Sequence, residues 1–354
     1  MVAHPAFYAL SLPGNQLLLD QRIPVVGSPG AYHPHTVDKY IPSVPIRQVL
    51  FVQHGAGGDV KTHLKKLKMF SGSTPTMANV SWGVLAHLGI AVYAIEGFNC
   101  DGVYDAQYNP RAVTAVDGQG RKVRAWHNGI MYSGHTAQGD RSAIVDCVAM
   151  IRTAHQGARV GFCGHSNGAM WGQLELLTYG STVFDFFCLA SGPPGLPLAL
   201  NLPATPGGIP PVYCIMGDAD TVIGVVQSGG INAGVYTQPR EKFSVADVYW
   251  PAEVAPPGDP RVGETQWQGI FPAFQHQVDL RNAAKGLGAQ TVGAGVTNGT
   301  VTTYTASVSG ANPSGACVLD IVHGSDHQID QLQDVGGLTL IPKYAGFGYA
   351  NAAG

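Results

Sequence analysis

Val160-Gly-Phe-Cys-Gly-His-Ser-Asn-Gly-Ala-Met170 is the stretch whose reading decides the fold of this chain. An apolar run over 158–163 leads into Gly164-His165-Ser166-Asn167-Gly168, and an apolar helical pattern follows over 168–179. A serine at so sharp a strand-to-helix turn takes a strained backbone conformation. Only small residues two places before and after it let the strand and the helix come close enough. With 47 glycines in 354 residues, the five-residue pattern can also arise by chance. Its weight therefore rests on what the rest of the chain places around it.

Upstream, residues 47–53 (RQVLFVQ) and 90–95 (IAVYAI) are continuous apolar runs, with helical patterns at 62–70 and 76–88 between them. Residues 140–155 (DRSAIVDCVAMIRTAH) form an amphipathic helix leading into the central strand, with Asp140 or Ser142 as candidate N-cap. Downstream, 184–190, 211–216 (PVYCIM), 300–308 and 316–322 read as strands and 276–287 as a helix. Continuous apolarity in strands that alternate with helices predicts a mostly parallel central sheet with helices on both faces. One α/β domain over 1–354 is expected.

Two segments break the rhythm. In 97–139, the runs 113–116 and 122–126 flank Asp117-Gly-Gln-Gly120 as an expected hairpin. Residues 222–275 are rich in Gly, Pro and aromatics, an insertion before the last strands that reads either as a cap or as an irregular loop burying its own aromatics. Both segments are candidate substrate-binding insertions. At the start of the chain, 7–12 and 16–26 joined by Pro13-Gly14-Asn15 predict a hairpin, 32–45 reads as a loop, and 328–354 reads as a polar tail.

Composition narrows the function classes. Hydrophobic residues make up 45% and the net charge is −3, which offers no basic surface to a nucleic acid. The charged fraction of 12% gives a weakly charged, loop-rich surface, a composition met more often in secreted or periplasmic enzymes. The opening MVAHPAFY has neither a basic n-region nor a continuous apolar h-region, so no signal peptide is expected. No apolar run approaches the roughly 20 residues of a transmembrane segment, and 186–203 is broken by Pro193, Pro194, Pro197 and Pro203. The six cysteines (100, 147, 163, 188, 214, 317) show no paired or zinc-type spacing. His33-Pro-His35 lacks a third ligand, so neither metal nor cofactor is expected.

A serine nucleophile needs a base to take its proton, an acid to hold that base, and N–H donors where the oxyanion forms. The 160–170 stretch resembles the nucleophile elbow of α/β-hydrolases, in which acid and then histidine follow the serine, each after a strand. The strand 211–216 ends in Gly217-Asp218-Ala219-Asp220-Thr221-Val222. Asp220 is favoured as the acid and Asp218 is the alternative; the competing reading of each is a solvated turn carboxylate. Three histidines remain after it. His276 starts a predicted helix, His323 ends the last strand, and His327 lies in the loop beyond, where a base can swing over the serine. His327 is favoured. The resemblance implies one oxyanion donor at the N–H of Asn167 and a second in the loop His54-Gly55-Ala56-Gly57, with Ala56 first and Gly55 next. His54 itself is read as organising that loop.

HGAGG (54–58), GHSNGAM (164–170), GDADTV (217–222) and the late Gly324-x-x-His327 resemble the polyhydroxybutyrate-depolymerase and feruloyl-esterase branch of the α/β-hydrolases. The resemblance covers about residues 40–220 and 276–330 and departs from the branch at three points. Ala56 stands where a cysteine is common, Gln328-Ile329 where an aromatic follows the histidine, and the spacing from Asp220 to His327 is long. It implies a serine esterase with Ser166, His327 and Asp220 as triad and a small-molecule or polymeric ester as substrate. Polyester or hydroxyalkanoate oligomers come first, aryl or hydroxycinnamoyl esters second. An oligopeptidase would use the same triad, but the chain lacks the length for an added propeller domain. A non-catalytic binding protein on this fold is disfavoured because no triad member is missing.

Overall fold

Runs of β-branched and aromatic residues place the strands, and short polar turns end them. The structure, a computed structural model, describes residues 13–55, 57–99, 113–114, 124–126, 131–132, 137–178, 183–192, 210–217, 225–227, 234–236, 294–306, 317–327 and 340–351. The chain divides into two units. One comprises Met1–Gly172, Thr182–Cys188 and Asp330–Ala353; the other comprises Gln173–Ser181 and Leu189–Ile329, with Gly354.

In the first unit lie β1 (Gln16–Pro24), β2 (Tyr32–Ile41), β3 (Gln48–Gln53) and β4 (Ile90–Ile95). Four two-residue strands follow: β5 (Phe98–Asn99), β6 (Val113–Thr114), β7 (Arg124–Ala125) and β8 (Met131–Tyr132). The unit's central strand is β9 (Arg159–His165). The sheet order is β1-β2-β4-β3-β9. β2 is antiparallel to both β1 and β4, while β3 is parallel to β4 and to β9. Every residue of β3 and β4 is buried, which is why the runs Val49–Val52 and Ile90–Ile95 are apolar without alternation. Crossovers run through α1 (Val60–Lys66), α2 (Trp82–Leu88) and α3 (Ala137–Ala154), and β9 feeds α4 (Asn167–Thr178). Asp59 caps α1 by accepting the Thr62 N–H at 2.8 Å, and Gly89 ends α2 in the left-handed region at φ 64°.

The strand β10 (Phe186–Ala190) begins in the first unit and ends in the second. In the second unit β11 (Val212–Gly217) pairs in parallel with β16 (Cys317–Val322). β15 (Val301–Ala306) lies antiparallel to β16, and β14 (Val296–Asn298) antiparallel to β15. A separate antiparallel pair joins β12 (Val225–Gln227) and β13 (Gly234–Tyr236). The 1-2-4-3 strand order, the antiparallel second strand and the parallel strands reached through crossover helices are those of the α/β-hydrolase fold.

Four expectations change. Residues 32–41, read as loop, form β2, and the hairpin turn is 25–31, where the Val25 N–H donates to Ala31 O at 3.0 Å. Pro34 disguises this strand. It sits in an irregular stretch of the β1–β2 register, between the Arg22↔Thr36 and Pro24↔Tyr32 pairs. Of the hairpin expected across 113–126, the described residues are 113–114 and 124–126, and these do not pair with each other: β7 pairs with β5 and β6 with β8. Asp140 and Ser142 do not cap α3, which starts at Ala137; Asp140 is buried inside it and faces His35. The tail contains α5 (Leu340–Ala350), with Leu340, Ile341, Tyr344 and Ala345 buried and Phe347 against Phe186 at 6.3 Å. Pro342 is tolerated there because it stands in the helix's first turn. The leading run 7–12 and the helix expected at 276–287 lie outside the described residues.

Asp38 on β2 is buried among acids. Its Oδ1 accepts the Asp20 N–H at 2.7 Å. Burial, with Asp20 and Glu96 nearby, raises its carboxyl to about 6. A carboxyl raised in the folded state favours folding below its unfolded value near 4 and loses that contribution as pH rises through about 6. Asp38→Asn is therefore expected to flatten the pH dependence of stability between those values. It should also raise stability at pH 7 by on the order of 1 kcal/mol after allowance for screening by nearby water. Urea unfolding of both proteins from pH 4 to 8 measures this; an unchanged slope would contradict it.

Candidate active site

Ser166 takes φ 52°, in the left-handed region that non-glycine residues rarely occupy. Its carbonyl accepts the Met170 N–H at 2.9 Å, so Ser166 caps α4 and Asn167 is its first helical residue. The flanking glycines are required by close approach. A Cβ on Gly164 would lie 2.7 Å from the backbone of Gly168 and Ala169, and one on Gly168 would lie 2.7 Å from His54 O. The serine thus stands at the positive end of a helix with no acidic residue in its first turn, a field that favours developing negative charge.

The loop after β3 lies against this turn. A Cβ on Gly55 would sit 3.0 Å from Ser166 Cβ and 3.1 Å from His165 Nδ1. His54 holds the loop: its Nδ1–H donates to Gly55 O at 2.7 Å, and its Nε2 accepts the Gly97 N–H at 2.9 Å. The Gly57 N–H donates to Arg124 O at 2.9 Å and the Gly58 N–H to Gly55 O at 3.1 Å. These two N–H groups are engaged; of the donors that the motif resemblance implies, Gly55 is described and Ala56 lies outside the described residues. Trp126, buried, donates its backbone N–H to Asn167 Oδ1 at 2.6 Å and accepts from Asn167 Nδ2 at 3.1 Å, while its indole N–H reaches His54 O at 3.0 Å.

In the second unit the C-terminal ends of β11 and β16 lie side by side, with Gly217 paired to Val322. The chain leaves the first toward Asp218 and Asp220, both outside the described residues, and leaves the second into 323–327. His323 stays with the sheet: its N–H donates to Thr300 O at 2.8 Å and its Nε2 lies 2.8 Å from Thr302 Oγ1. His327 is buried at the end of the loop, and its carbonyl accepts Ser191 Oγ–H at 2.9 Å. Gly217 is packed against that loop, since a Cβ there would lie 2.2 Å from Ser325 O. Asp320, a buried carboxylate on β16, accepts from Tyr213 Oη and Thr303 Oγ1 at 2.5 and 2.6 Å, which gives it a structural role.

Two residues here carry no motif. Trp126 appears in the sequence only as one of several aromatics in the 97–139 excursion. Ser191, at φ 50°, follows a buried strand and is marked only by being small and polar there. The two histidines weighed as a metal pair go to different carboxylates: His33 Nε2 lies 2.8 Å from Asp146 Oδ2, and His35 Nε2 3.1 Å from Asp140 Oδ1. Among the described residues no cluster of three or more His, Cys, Asp or Glu is arranged to hold a metal. Cys147, Cys163, Cys188, Cys214 and Cys317 are buried thiols, and burial pushes Cys147 up to about 12. No described helix is long and apolar enough to cross a membrane.

No protein-family model matches the chain, and no curated protein sequence does. Solved structures similar to it include LpqC, a poly(3-hydroxybutyrate) depolymerase from Bordetella parapertussis, at 16% identity and TM-score 0.40, covering 89% of this chain and 90% of that one. Est1E from Butyrivibrio proteoclasticus is similar at 11% identity and TM-score 0.41, covering 95% and 99%. Poly(aspartic acid) hydrolase-1 from Sphingomonas sp. KT-1 is similar at 14% identity and TM-score 0.37, covering 96% and 97%.

Proposed function

We propose that this chain is a serine esterase. Ser166 attacks an ester carbonyl while His327, oriented by Asp220, takes the hydroxyl proton. The tetrahedral oxyanion is bound by the N–H groups of Ala56 and Asn167. His327 then gives the proton to the leaving alkoxide. Water, deprotonated by the same imidazole, attacks the acyl-enzyme, and the acid departs as the proton returns to Ser166. The observation that carries this reading is Ser166 itself: a non-glycine residue at φ 52° on a helix N-terminus, with the Gly55 backbone against it. Strain of this kind is kept where the site uses it. The engaged His323 supports His327 as the base.

The motif resemblance makes esters with a hydrophobic or aromatic portion the substrate class, aliphatic polyester or hydroxyalkanoate oligomers before aryl or hydroxycinnamoyl esters. Incubating the intact protein with a fluorophosphonate probe and mapping the adduct tests the reading. One adduct on the peptide containing Ser166 is expected. No adduct, or one at another serine, would overturn it. Turnover of peptide anilides without turnover of p-nitrophenyl esters would replace esterase with peptidase.

A further inference from the structure

The 124–126 segment ties together two stretches that the sequence keeps far apart. One is 54–57, after β3; the other is Asn167, after the nucleophile. Arg124 O accepts the Gly57 N–H at 2.9 Å. The Trp126 indole N–H donates to His54 O at 3.0 Å. The Trp126 backbone forms a two-bond ring with the Asn167 side chain, at 2.6 and 3.1 Å. All three polar links lie inside the first unit, and Trp126, His54 and Asn167 are buried.

The indole is itself held from behind. Its ring stacks on His35 at 5.6 Å and 15°, and lies against the His54 ring at 5.5 Å. His35 is fixed in turn by Nδ1–H donation to Glu96 O at 2.9 Å and by Asp140 Oδ1, 3.1 Å from Nε2. A side chain that only filled space would need the ring alone. Here the ring, the indole N–H and both backbone groups of one residue are all engaged, and they are engaged with the two stretches that carry the oxyanion donors.

We propose that Trp126 is a positioning residue: it clamps the His54–Gly55 backbone to Asn167 and so sets the spacing of the oxyanion-hole donors. The inference rests on the esterase reading above. Oxyanion stabilisation depends on donors already aimed at the transition-state oxygen, so loosening the clamp should weaken transition-state binding and leave ground-state ester binding nearly unchanged.

Trp126→Phe keeps an aromatic ring to stack on His35 but removes the indole N–H together with the fused five-membered ring, so melting temperature is read beside activity. Asn167→Asp keeps the acceptor for the Trp126 N–H and removes the donor to Trp126 O. The full-length variants are compared with wild type for kcat and KM on a p-nitrophenyl ester, for affinity toward a trifluoromethyl ketone that forms a serine-bound oxyanion, and for melting temperature. Each variant is expected to lose about tenfold in kcat and a similar factor in ketone affinity, with KM within about twofold. Wild-type kcat and ketone affinity in both variants would overturn the clamp. A fall in kcat matched by lower melting temperature but not by weaker ketone binding would overturn it too, since that is general loosening. Should Trp126→Phe fail to fold, wild-type kcat and ketone affinity in Asn167→Asp, despite the carboxylate it adds beside Trp126 O, would overturn the clamp alone. Fluorophosphonate labelling of the wild type at Ser166 separates failure of the clamp from failure of the esterase reading.

Discussion

Ser166→Ala is expected to lower kcat on a p-nitrophenyl ester by about ten-thousand-fold or more, and His327→Ala to do nearly as much. The double variant should be scarcely worse than either single one. In the proposed mechanism nucleophile and base act in one step: once the base is gone, the hydroxyl is a poor nucleophile at neutral pH, and once the hydroxyl is gone, the base has nothing to activate. His323→Ala is the contrasting case. Its ring lies 2.8 Å from Thr302 Oγ1 and its N–H continues the hydrogen bonding to Thr300, so its loss should change kcat by less than about tenfold. Steady-state kinetics on the four variants and the wild type measure this. A collapse in His323→Ala beside a nearly active His327→Ala would move the base to His323, and strictly additive losses in the double variant would contradict a concerted pair.

The second large effect is expected at a residue that has no side chain. Gly217→Ala places a Cβ 2.2 Å from Ser325 O and 2.6 Å from Asp326 O. These are backbone atoms, so no side chain can swing aside to make room. The loop cannot easily retreat either, because Ser191 Oγ–H holds it at His327 O. The substitution should shift 325–327, and with it the histidine, by a large fraction of an ångström. Misplacement on that scale lowers kcat by about a hundredfold, while overpacking costs about 1–3 kcal/mol of stability. Gly324→Ala, in the same loop, meets no atom within 4 Å and carries only the strain of φ 74°. It should lower the melting temperature modestly and leave kcat within a few-fold. Equal kcat losses in the two variants would show that the loop is not positioned through Gly217.

The contrast between these glycines shows where the sequence could be read. Gly164 and Gly168 belong to a spaced pattern whose geometry demands small residues, and close backbone contacts are found at both. Gly217 was legible only as the turn that ends a strand; that it meets the histidine loop follows from the parallel register of β11 on β16. Trp126 shows the same limit. One aromatic among several in an excursion carries no local signal, and its partners His54 and Asn167 lie 72 and 41 residues away. Of the proposed triad, Ser166 and His327 stand among the described residues and Asp220 does not.

Local patterns determined what depends on neighbours along the chain. Continuous apolar runs mark strands buried on both faces, and β3, β4, β9 and β11 lie where those runs stand. The spacing of small residues around Ser166 determined the turn, because the steric demand is met within five positions. Pairing was decided by tertiary structure alone. β2 became a strand although Pro34 and its histidines argue against one, because it is held between β1 and β4 and an irregular register absorbs the proline. The tail became α5 because its apolar face is buried in the first unit. Residues 124–126 took their place from backbone and side-chain bonds to 54–57 and Asn167, partners that no window of sequence contains.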